Sequence, residues 1–270
     1  IPLARGKSRN PSIASIIEEA KAIAGQGIKE IILTGVNIGD FGRSTEESFL
    51  GLLQALDQID TIARIRIGSV EPNLLSDEII DFVATSQRIA PHFHIPLQAG
   101  TDEVLSLMKR RYTTDLFARR IARIRATIPH AFIGVDMIAG MNGETPELYQ
   151  QAYRFIESQE VSQLHVFPYS ERANTAALKI DGIVPVEERR NRTQQLIALS
   201  DKKLKAFYIK HIGEEALVLF ENQKGKTKMQ GWTANYIKVE APYEKTAINQ
   251  LRKVRLSGLN EDGSMNVERL

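Results

Sequence analysis

Residues with groups able to bind a polar ligand follow five apolar runs of this 270-residue chain. They are Thr34, Gly35 and Asn37; Ser69 and Glu71; Gln98 and Gly100; Asp136 and Gly140; and Tyr169, Ser170, Glu171 and Arg172. In parallel α/β folds the carboxyl ends of the strands form the binding rim. Ordinary turn chemistry explains any one of these residues equally well. The whole set favours a binding site.

Two of these residues suggest a specific chemistry. A period of two places Ser69 and Glu71 on the same strand face as Ile65 and Ile67, so a hydroxyl and a carboxylate end an apolar inward face. Such a pair could bind the vicinal hydroxyls of a ribose. A salt bridge from Glu71, for example to Arg172, explains the carboxylate equally well.

Histidines alternate at positions 92 and 94, a spacing that could place two metal ligands on one strand. The sequence offers no further ligand set, so hydrogen-bonded histidines in the core or at the rim are the favoured interpretation of His92 and His94. No dinucleotide-binding, phosphate-loop or nucleophile-elbow motif is present. Ordinary kinase and hydrolase functions therefore lose support.

Strand-like and helix-like segments alternate through the first 209 residues. Predicted buried strands are KEIILTGVN (29–37), RIRIGSVEP (64–72), HFHIPLQAG (92–100), AFIGVDMIAG (131–140) and QLHVFPYS (163–170). Helical spacing of apolar residues occurs between them, with Ser12, Ser76 and Thr145 as predicted N-caps. This order predicts parallel crossovers, hence a doubly wound sheet or a TIM-like barrel, complete or partial.

A charged helix predicted at about 186–210 precedes short alternating segments typical of a small antiparallel β-barrel or sandwich. We place the domain boundary near residue 209, which gives domains of 1–209 and 210–270. Lys224, Lys226 and Lys228 alternate and have the same parity as Trp232. Cations beside an aromatic ring are a candidate RNA surface, although a solvated lysine face is the commoner meaning of such a run.

Composition sets broad limits on function. The formal charge is +2 and the pI is near 8.7, which is compatible with a nucleic-acid partner without requiring one. No apolar run is long enough to span a bilayer and no signal peptide is evident, so we expect a cytoplasmic protein without a membrane partner. The chain contains no cysteine and does not begin with Met, and we expect it to be a fragment of a longer protein.

Six segments, read in order, resemble the successive signatures of the radical S-adenosylmethionine (SAM) tRNA methylthiotransferases. They are IPLARGKSR, ILTGVNIGDFG, IGSVEP, HFHIPLQAGTDEVLSLMKRRYT, GVDMIAGMNGET and HVFPYSERANTAA. The terminal segment is similar to the TRAM domain of that family. The resemblance implies an α/β fold, namely a partial TIM-like parallel barrel without its first strand, followed by a small antiparallel β-barrel TRAM domain that binds tRNA.

In this family a CxxxCxxC motif holds a 4Fe-4S cluster, and its third cysteine lies just before the segment that resembles Ile1 to Gly6. A second cluster belongs to an absent N-terminal domain. The resemblance therefore implies two clusters in the full-length protein and none in these residues, which we expect to be inactive alone. In the parent protein, SAM would be cleaved to a 5′-deoxyadenosyl radical, a second SAM would supply the methyl group, and an unidentified donor would supply electrons.

By motif position, the resemblance assigns ten residues to SAM. Thr34, Gly35 and Asn37 would face its methionyl end, Ser69 and Glu71 its ribose, and Ile138, Phe167 and Tyr169 its adenine, with Gln98 and Arg111 in matching motifs. Three departures from the family pattern concern loop shape: Met141 and Asn142 replace Phe-Pro, Asn174 stands where Gly is usual, and Ala99 replaces Ser.

The segments IPLARG, SVEP and HVFPYS look most like enzymes that methylthiolate N6-threonylcarbamoyladenosine beside the tRNA anticodon. Enzymes acting on isopentenyladenosine or on a ribosomal protein are the alternatives within the family. Outside it, a TIM-barrel aldolase or isomerase would need a catalytic lysine or metal set at the strand ends, and neither is evident. A non-catalytic RNA-binding protein would leave the polar rim unexplained.

Overall fold

The computed structural model describes residues 10–222 and 227–270, which form an α/β unit followed by a small β-barrel. The helices are α1 Ile13–Gly25, α2 Phe49–Asp57, α3 Asp77–Thr85, α4 Asp102–Leu107, α5 Thr114–Thr127, α6 Pro146–Ser158 and α7 Val186–Lys210. The strands are β1 Glu30–Leu33, β2 Arg64–Ile67, β3 His92–His94, β4 Phe132–Ala139, β5 Gln163–Pro168, β6 Glu215–Glu221, β7 Lys228–Thr233, β8 Lys238–Pro242, β9 Leu251–Leu259 and β10 Met265–Arg269. These elements confirm the predicted alternation.

The predicted helix starts are confirmed by side-chain caps. The hydroxyl oxygens of Ser12, Ser76 and Thr145 accept hydrogen bonds from backbone N–H groups three residues ahead, at 3.2, 3.4 and 3.3 Å. Each bond satisfies one of the amide donors that a helix N-terminus leaves free. Local sequence therefore fixes where these helices begin.

All pairings among the first five strands are parallel. β1 pairs with β2, and β4 lies between β3 and β5. Two isolated parallel bridges, Ile65 to Ile89 and Ser69 to His94, join the two groups. The carboxyl ends of the five strands thus meet at one rim, as the predicted fold class requires.

One face of these strands packs against the helices, and we call the opposite face the inner face. Ile65 and Ile67 of β2 belong to the core formed with the helices. The expectation that they continue an inward face toward Ser69 and Glu71 is therefore wrong. β2 ends at Ile67, so the period of two does not extend through the loop to the rim. The residues alternating with them, Arg64 and Arg66, lie on the inner face.

The second unit is a closed barrel with strand order β10-β8-β7-β6-β9. Its pairings are antiparallel except for a short parallel pairing of β8 with β10, so the predicted small β-barrel is confirmed with one difference from a purely antiparallel pattern. Its core includes Phe207 and Tyr208 from the end of α7. A boundary near residue 209 stays a prediction.

The small barrel contacts the amino ends of the parallel strands. Arg64 donates to the carbonyls of Trp232 (3.0 Å) and Leu217 (3.3 Å), and both Arg64 and Arg66 pair with the carboxylate of Glu30, at 3.1 and 3.2 Å. Arg66 also donates to the carbonyls of Thr233 and Ala234 at 3.3 and 3.0 Å. Phe132 of β4 is buried in the core of the small barrel. We call this junction the docked end.

The described residues contain no helix that is both long enough and apolar enough to cross a membrane. The longest helix, α7, is rich in charged residues along its length.

Candidate functional site

The rim loops after β1, β2 and α4 meet at Glu71. Its carboxylate accepts hydrogen bonds from the Asn37 amide nitrogen (3.4 Å) and from Arg110 Nη1 (3.1 Å). The predicted alternative of a salt bridge is thus confirmed, with Arg110 rather than Arg172 as partner. Glu71, Asn37 and Arg110 line a cavity of about 290 Å³. Arg111, which the resemblance assigns to SAM, is exposed and lines this cavity too.

Unpartnered polar atoms line this cavity. Asn37 Oδ1, Asn73 Oδ1 and Arg110 Nε are buried and have no hydrogen-bond partner among the described residues. Buried polar groups in folded proteins nearly always have partners, so a set without them needs an explanation. A polar ligand carrying both donors and acceptors would satisfy them. The rim therefore has the chemistry of a binding site rather than of a closed structural network.

Thr34 and Gly35 are exposed in the loop that follows β1. The N–H of Gly68 donates to the carbonyl of Leu33 at 3.0 Å, and a Cβ at position 68 would lie only 2.6 Å from that oxygen. Glycine at this position allows the ends of β1 and β2 to approach closely. Thr34 and Gly35 consequently lie beside the loop that carries Ser69.

A hydrogen-bonded row of side chains lies on the inner face next to this loop. Ser69 Oγ is 3.4 Å from His94 Nδ1, and His94 Nε2 is 2.7 Å from Asp136 Oδ1. His165 is the register partner of Asp136, and its ring lies 5.2 Å from that of His94. His94 is thus a hydrogen-bonded histidine, as predicted. Its two hydrogen-bond partners come from the loop after β2 and from β4.

His92 lies at the docked end instead. Its ring stacks on Phe132 at 5.4 Å and lies 4.7 Å from the ring of Tyr236. Burial, followed by the nearby Arg66, lowers the pKa of His92 to about 3. His92 also has a hydrogen bond with the backbone of Ile67, so it is a hydrogen-bonded core histidine as predicted, although its Nδ1 has no partner among the described residues.

Gln98 lies four residues after β3, and its backbone holds this segment against β4. Its N–H donates to Asp136 O and its carbonyl accepts from Ile138 N, both at 2.8 Å. Its φ is +70°, a left-handed conformation that is uncommon for a residue with a side chain. Such strain concentrates at functional sites, which agrees with the predicted place of Gln98 at the rim.

An apolar wall borders the rim at β4 and β5. Ile138 and Phe167 are register partners, and Phe167 is 53% exposed. The N–H of Tyr169 donates to Ala139 O at 2.8 Å, and the Arg189 guanidinium lies 5.2 Å from the Tyr169 ring centre. The structure therefore brings the three residues predicted to face an adenine onto two adjacent strand ends. An exposed Phe here gives a planar ligand a surface to pack against.

A buried ion pair that the sequence did not suggest supports the loop after β4. Glu144 Oε2 accepts from the N–H of Gly140 (2.7 Å) and from Arg192 Nη1 (2.9 Å). A Cβ at Gly140, whose φ is +78°, would lie 2.4 Å from Arg189 Cγ.

Among the departures from the family pattern, Asn174 has φ +63°, a conformation that asparagine adopts more readily than most residues. Its loop thus keeps the geometry that a glycine would allow.

The candidate RNA residues lie on the small barrel. Burial along β7 alternates, so Lys228 and Trp232 share its outer face as predicted. Lys228 pairs with Glu240, and this hydrogen bond raises the pKa of Lys228. Trp232 stacks on Tyr236 at 4.5 Å. Lys224 and Lys226 lie outside the described residues.

Two cofactors implied by the resemblance differ in their fit to these residues. The rim offers carboxylate, amide, guanidinium and hydroxyl groups beside an exposed aromatic ring, a set that fits the polar and purine parts of SAM. An iron–sulfur cluster needs thiolates, and the chain has no cysteine. The described residues also contain no group of three or more His, Asp or Glu that could hold a metal ion. These residues therefore do not fit a cluster.

Comparisons with known proteins agree with this geometry. The sequence profile of the radical SAM superfamily matches residues 2–156. The chain is 34% identical over 262 residues to the threonylcarbamoyladenosine tRNA methylthiotransferase MtaB of Bacillus subtilis, covering 95% of this chain and 58% of that protein. It is 32% identical over 264 residues to the tRNA-2-methylthio-N(6)-dimethylallyladenosine synthase of Desulfitobacterium hafniense, covering 96% and 59%.

Among solved structures, the fold is similar to coproporphyrinogen III oxidase (HemN) of Escherichia coli, described as a radical SAM enzyme, with a TM-score of 0.53 and 14% identity over 90% of this chain and 60% of that one. The chain spans about three fifths of the length of the curated relatives it matches. The resemblance to tRNA methylthiotransferases is confirmed by these relatives. The profile match, which extends over more than half of the chain, shows that this protein belongs to the radical SAM superfamily.

Proposed function

We propose that this chain is the SAM-binding barrel and RNA-binding barrel of an enzyme that adds a methylthio group to carbon 2 of N6-threonylcarbamoyladenosine in tRNA. One observation carries the proposal: the 34% identity to the Bacillus subtilis enzyme extends over 95% of this chain, so it includes both barrels. The polar rim supports it independently, because its groups suit SAM.

At the rim, each of the ten predicted SAM residues has a proposed place. Asn37, with Thr34 and Gly35 beside it, holds the methionyl end; Ser69 and Glu71 hold the ribose; Ile138, Phe167 and Tyr169 pack against the adenine, with Gln98 and Arg111 at the border. SAM, when bound, supplies the radical and the methyl group. The protein residues bind it, orient it and exclude water from it.

Both 4Fe-4S clusters belong, in this proposal, to cysteines of the full-length protein, because these 270 residues contain none. The 270 residues alone are consequently inactive. The outer face of the small barrel, with Lys224, Lys226, Lys228 and Trp232, contacts the tRNA. Stacking on Trp232 and attraction of phosphates to lysine are contacts that need no particular base sequence.

Nucleoside mass spectrometry on tRNA from cells lacking the full-length protein tests the proposal. We expect loss of methylthiolated threonylcarbamoyladenosine and accumulation of the nucleoside without the methylthio group. Restoring the gene should reverse both changes. If no tRNA nucleoside changes, the proposed reaction is wrong, and a ribosomal-protein substrate or aldolase-type chemistry takes its place.

A second candidate substrate is isopentenyladenosine in tRNA. It is favoured by the 32% identity, over 96% of this chain, to the Desulfitobacterium hafniense enzyme. The same measurement separates the two, because loss of the methylthio group from isopentenyladenosine alone would contradict the threonylcarbamoyladenosine assignment while keeping the chemistry.

A further inference from the structure

The row of Ser69, His94 and Asp136 is a second set of polar groups beside the proposed ribose contacts. The side chains of His94 and Asp136 are 24% and 20% exposed, so a ligand in the rim can reach this row. The three residues come from the loop after β2, from β3 and from β4. Neither His94 nor Asp136 belongs to the predicted SAM set, and the proposed function gives them no role.

The hydrogen-bond directions in this row follow from the chemistry of its members. A carboxylate can only accept, so the 2.7 Å contact requires that His94 Nε2 carry a proton and donate it to Asp136 Oδ1. In a neutral imidazole the other nitrogen, Nδ1, is then an acceptor. The Ser69 hydroxyl, 3.4 Å away, is the group that can donate to it. The hydroxyl proton is thereby engaged by His94, and the oxygen lone pairs stay available to accept a hydrogen bond from a ligand.

The surroundings of Asp136 favour this hydrogen bond from His94. Among the described residues, Asp136 forms an ion pair with His94 alone. His165 is the other nearby titratable group, and burial, followed by the neighbouring His94, lowers its pKa. Asp136 therefore acts on Ser69 through one imidazole.

We propose that Asp136 and His94 are positioning residues that fix the Ser69 hydroxyl as a hydrogen-bond acceptor for a ribose hydroxyl of SAM. This inference rests on the proposed function, because it takes Ser69 as a ribose contact. It adds the reason that Ser69 accepts a hydrogen bond from a ribose hydroxyl. Each group in the row donates to the next, from Ser69 to His94 to Asp136, and the Asp136 carboxylate at the end fixes that order. Reversing the histidine tautomer would present the wrong hydrogen to the ligand.

The test combines ring-nitrogen NMR of histidine-labelled full chain with titrations of S-adenosylhomocysteine and its 2′,3′-dideoxy analogue. We expect the protonated Nε2 tautomer for His94 in the wild type, and loss of that tautomer in Asp136→Asn. One hydrogen bond corresponds to about three- to tenfold in affinity. Ser69→Ala and Asp136→Asn should each lose that much, and the double variant no more than either alone.

Two further variants separate positioning from a structural role. His94→Asn keeps an acceptor near the Nδ1 position and should retain most of the affinity, whereas His94→Leu should resemble Ser69→Ala. Asp115→Asn, an exposed carboxylate on α5, is the matched control and should change neither the tautomer nor the affinity. Wild type should prefer S-adenosylhomocysteine to its dideoxy analogue, and Ser69→Ala should lose that preference.

Additive losses in the double variant, an unchanged His94 spectrum in Asp136→Asn, or a protonated Nδ1 in the wild type would each overturn the positioning role. In those cases the nucleoside assay can still support the proposed reaction. If the wild-type chain binds neither compound, the ribose contact itself is wrong, and the positioning role is wrong with it.

Discussion

The docked end and the rim, which lie at opposite ends of the parallel strands, contain similar polar side chains in opposite circumstances. At the docked end, Arg64 and Arg66 are 5% and 3% exposed, and both reach a shared carboxylate and backbone carbonyls of the small barrel. At the rim, Glu71 and Arg110 are 25% and 30% exposed, and unpartnered polar atoms lie beside them. The arginine network of the docked end is satisfied and holds two units together, whereas the unsatisfied polar groups of the rim are available to a ligand.

The largest expected effect comes from breaking the docked end. Glu30→Gln removes the carboxylate shared by Arg64 and Arg66 and leaves two buried cations without a counter-charge. We expect a loss of about 3–5 kcal/mol in the free energy of unfolding. Chemical denaturation measures it. Asp115→Asn, whose pair with Arg119 is exposed, is the control and should cost less than about 1 kcal/mol. Equal effects would remove the distinction between the two ends.

The docked end should also confer a pH dependence through His92. Its pKa is about 3 in the folded protein and ordinary in the unfolded chain, so below about pH 6.5 only the unfolded state gains this proton. Stability should fall with decreasing pH across that window, and His92 adds about 1.4 kcal/mol per pH unit to the slope. His92→Phe, which keeps the ring against Phe132, should have a slope shallower by that amount. Identical slopes between pH 6.5 and 4.5 would contradict this origin.

At the rim, we expect a substitution to change the free energy of unfolding little and the affinity for SAM more. Glu71→Ala should weaken SAM binding by about tenfold, because a charged hydrogen-bonding group is lost. Its partly exposed pair with Arg110 should contribute at most about 1 kcal/mol to folding. Isothermal titration and thermal unfolding of the same samples measure both. Glu103→Ala on α4 is the control, and equal SAM binding by wild type and Glu71→Ala would remove Glu71 from the site.

The smallest expected effect concerns RNA binding by the small barrel. Lys228→Ala should reduce the slope of the logarithm of RNA affinity against the logarithm of salt concentration by about 0.7 to 1, the share of one phosphate contact. Lys253 on β9 is equally exposed and also ion-paired, so Lys253→Ala is the matched control. Filter binding of an anticodon stem-loop over a salt series measures the slope. A larger change in the control would place the RNA on β9 instead.

Local signals in the sequence predicted the elements well and the contacts between them only in part. Capping residues and apolar periodicity lie within one element, so Ser12, Ser76 and Thr145 could be identified directly. Parallel topology then implied a shared rim. The partner of Glu71 could not be found this way, because Arg110 and Arg111 are neighbours and only the turn after α4, where Lys109 has φ +56°, decides which one reaches the carboxylate.

The sequence also contained signals for the residues of the inner face, but the segment RIRI was interpreted only for the face that contains its isoleucines. Two arginines alternating with isoleucines in RIRI indicate a strand with one polar face that must find partners, and those partners are carbonyls 153 to 168 residues away. His94 and Asp136 alternate correctly with apolar residues of their own strands. Their meeting depends on the register of β3 against β4, which composition and spacing do not specify.

The dependence of the docked end on residues near the C-terminus has a consequence for how the protein is made on the ribosome. Phe132, Arg64 and Arg66 leave the ribosome well before Thr233, Ala234 and Tyr236, which cover them. At about 5–20 residues per second, the nascent parallel sheet spends several seconds with an aromatic ring and two cations uncovered at one end. Slow synthesis of the intervening segment would prolong that interval and favour chaperone capture, so the small barrel also completes the folding of the domain made before it.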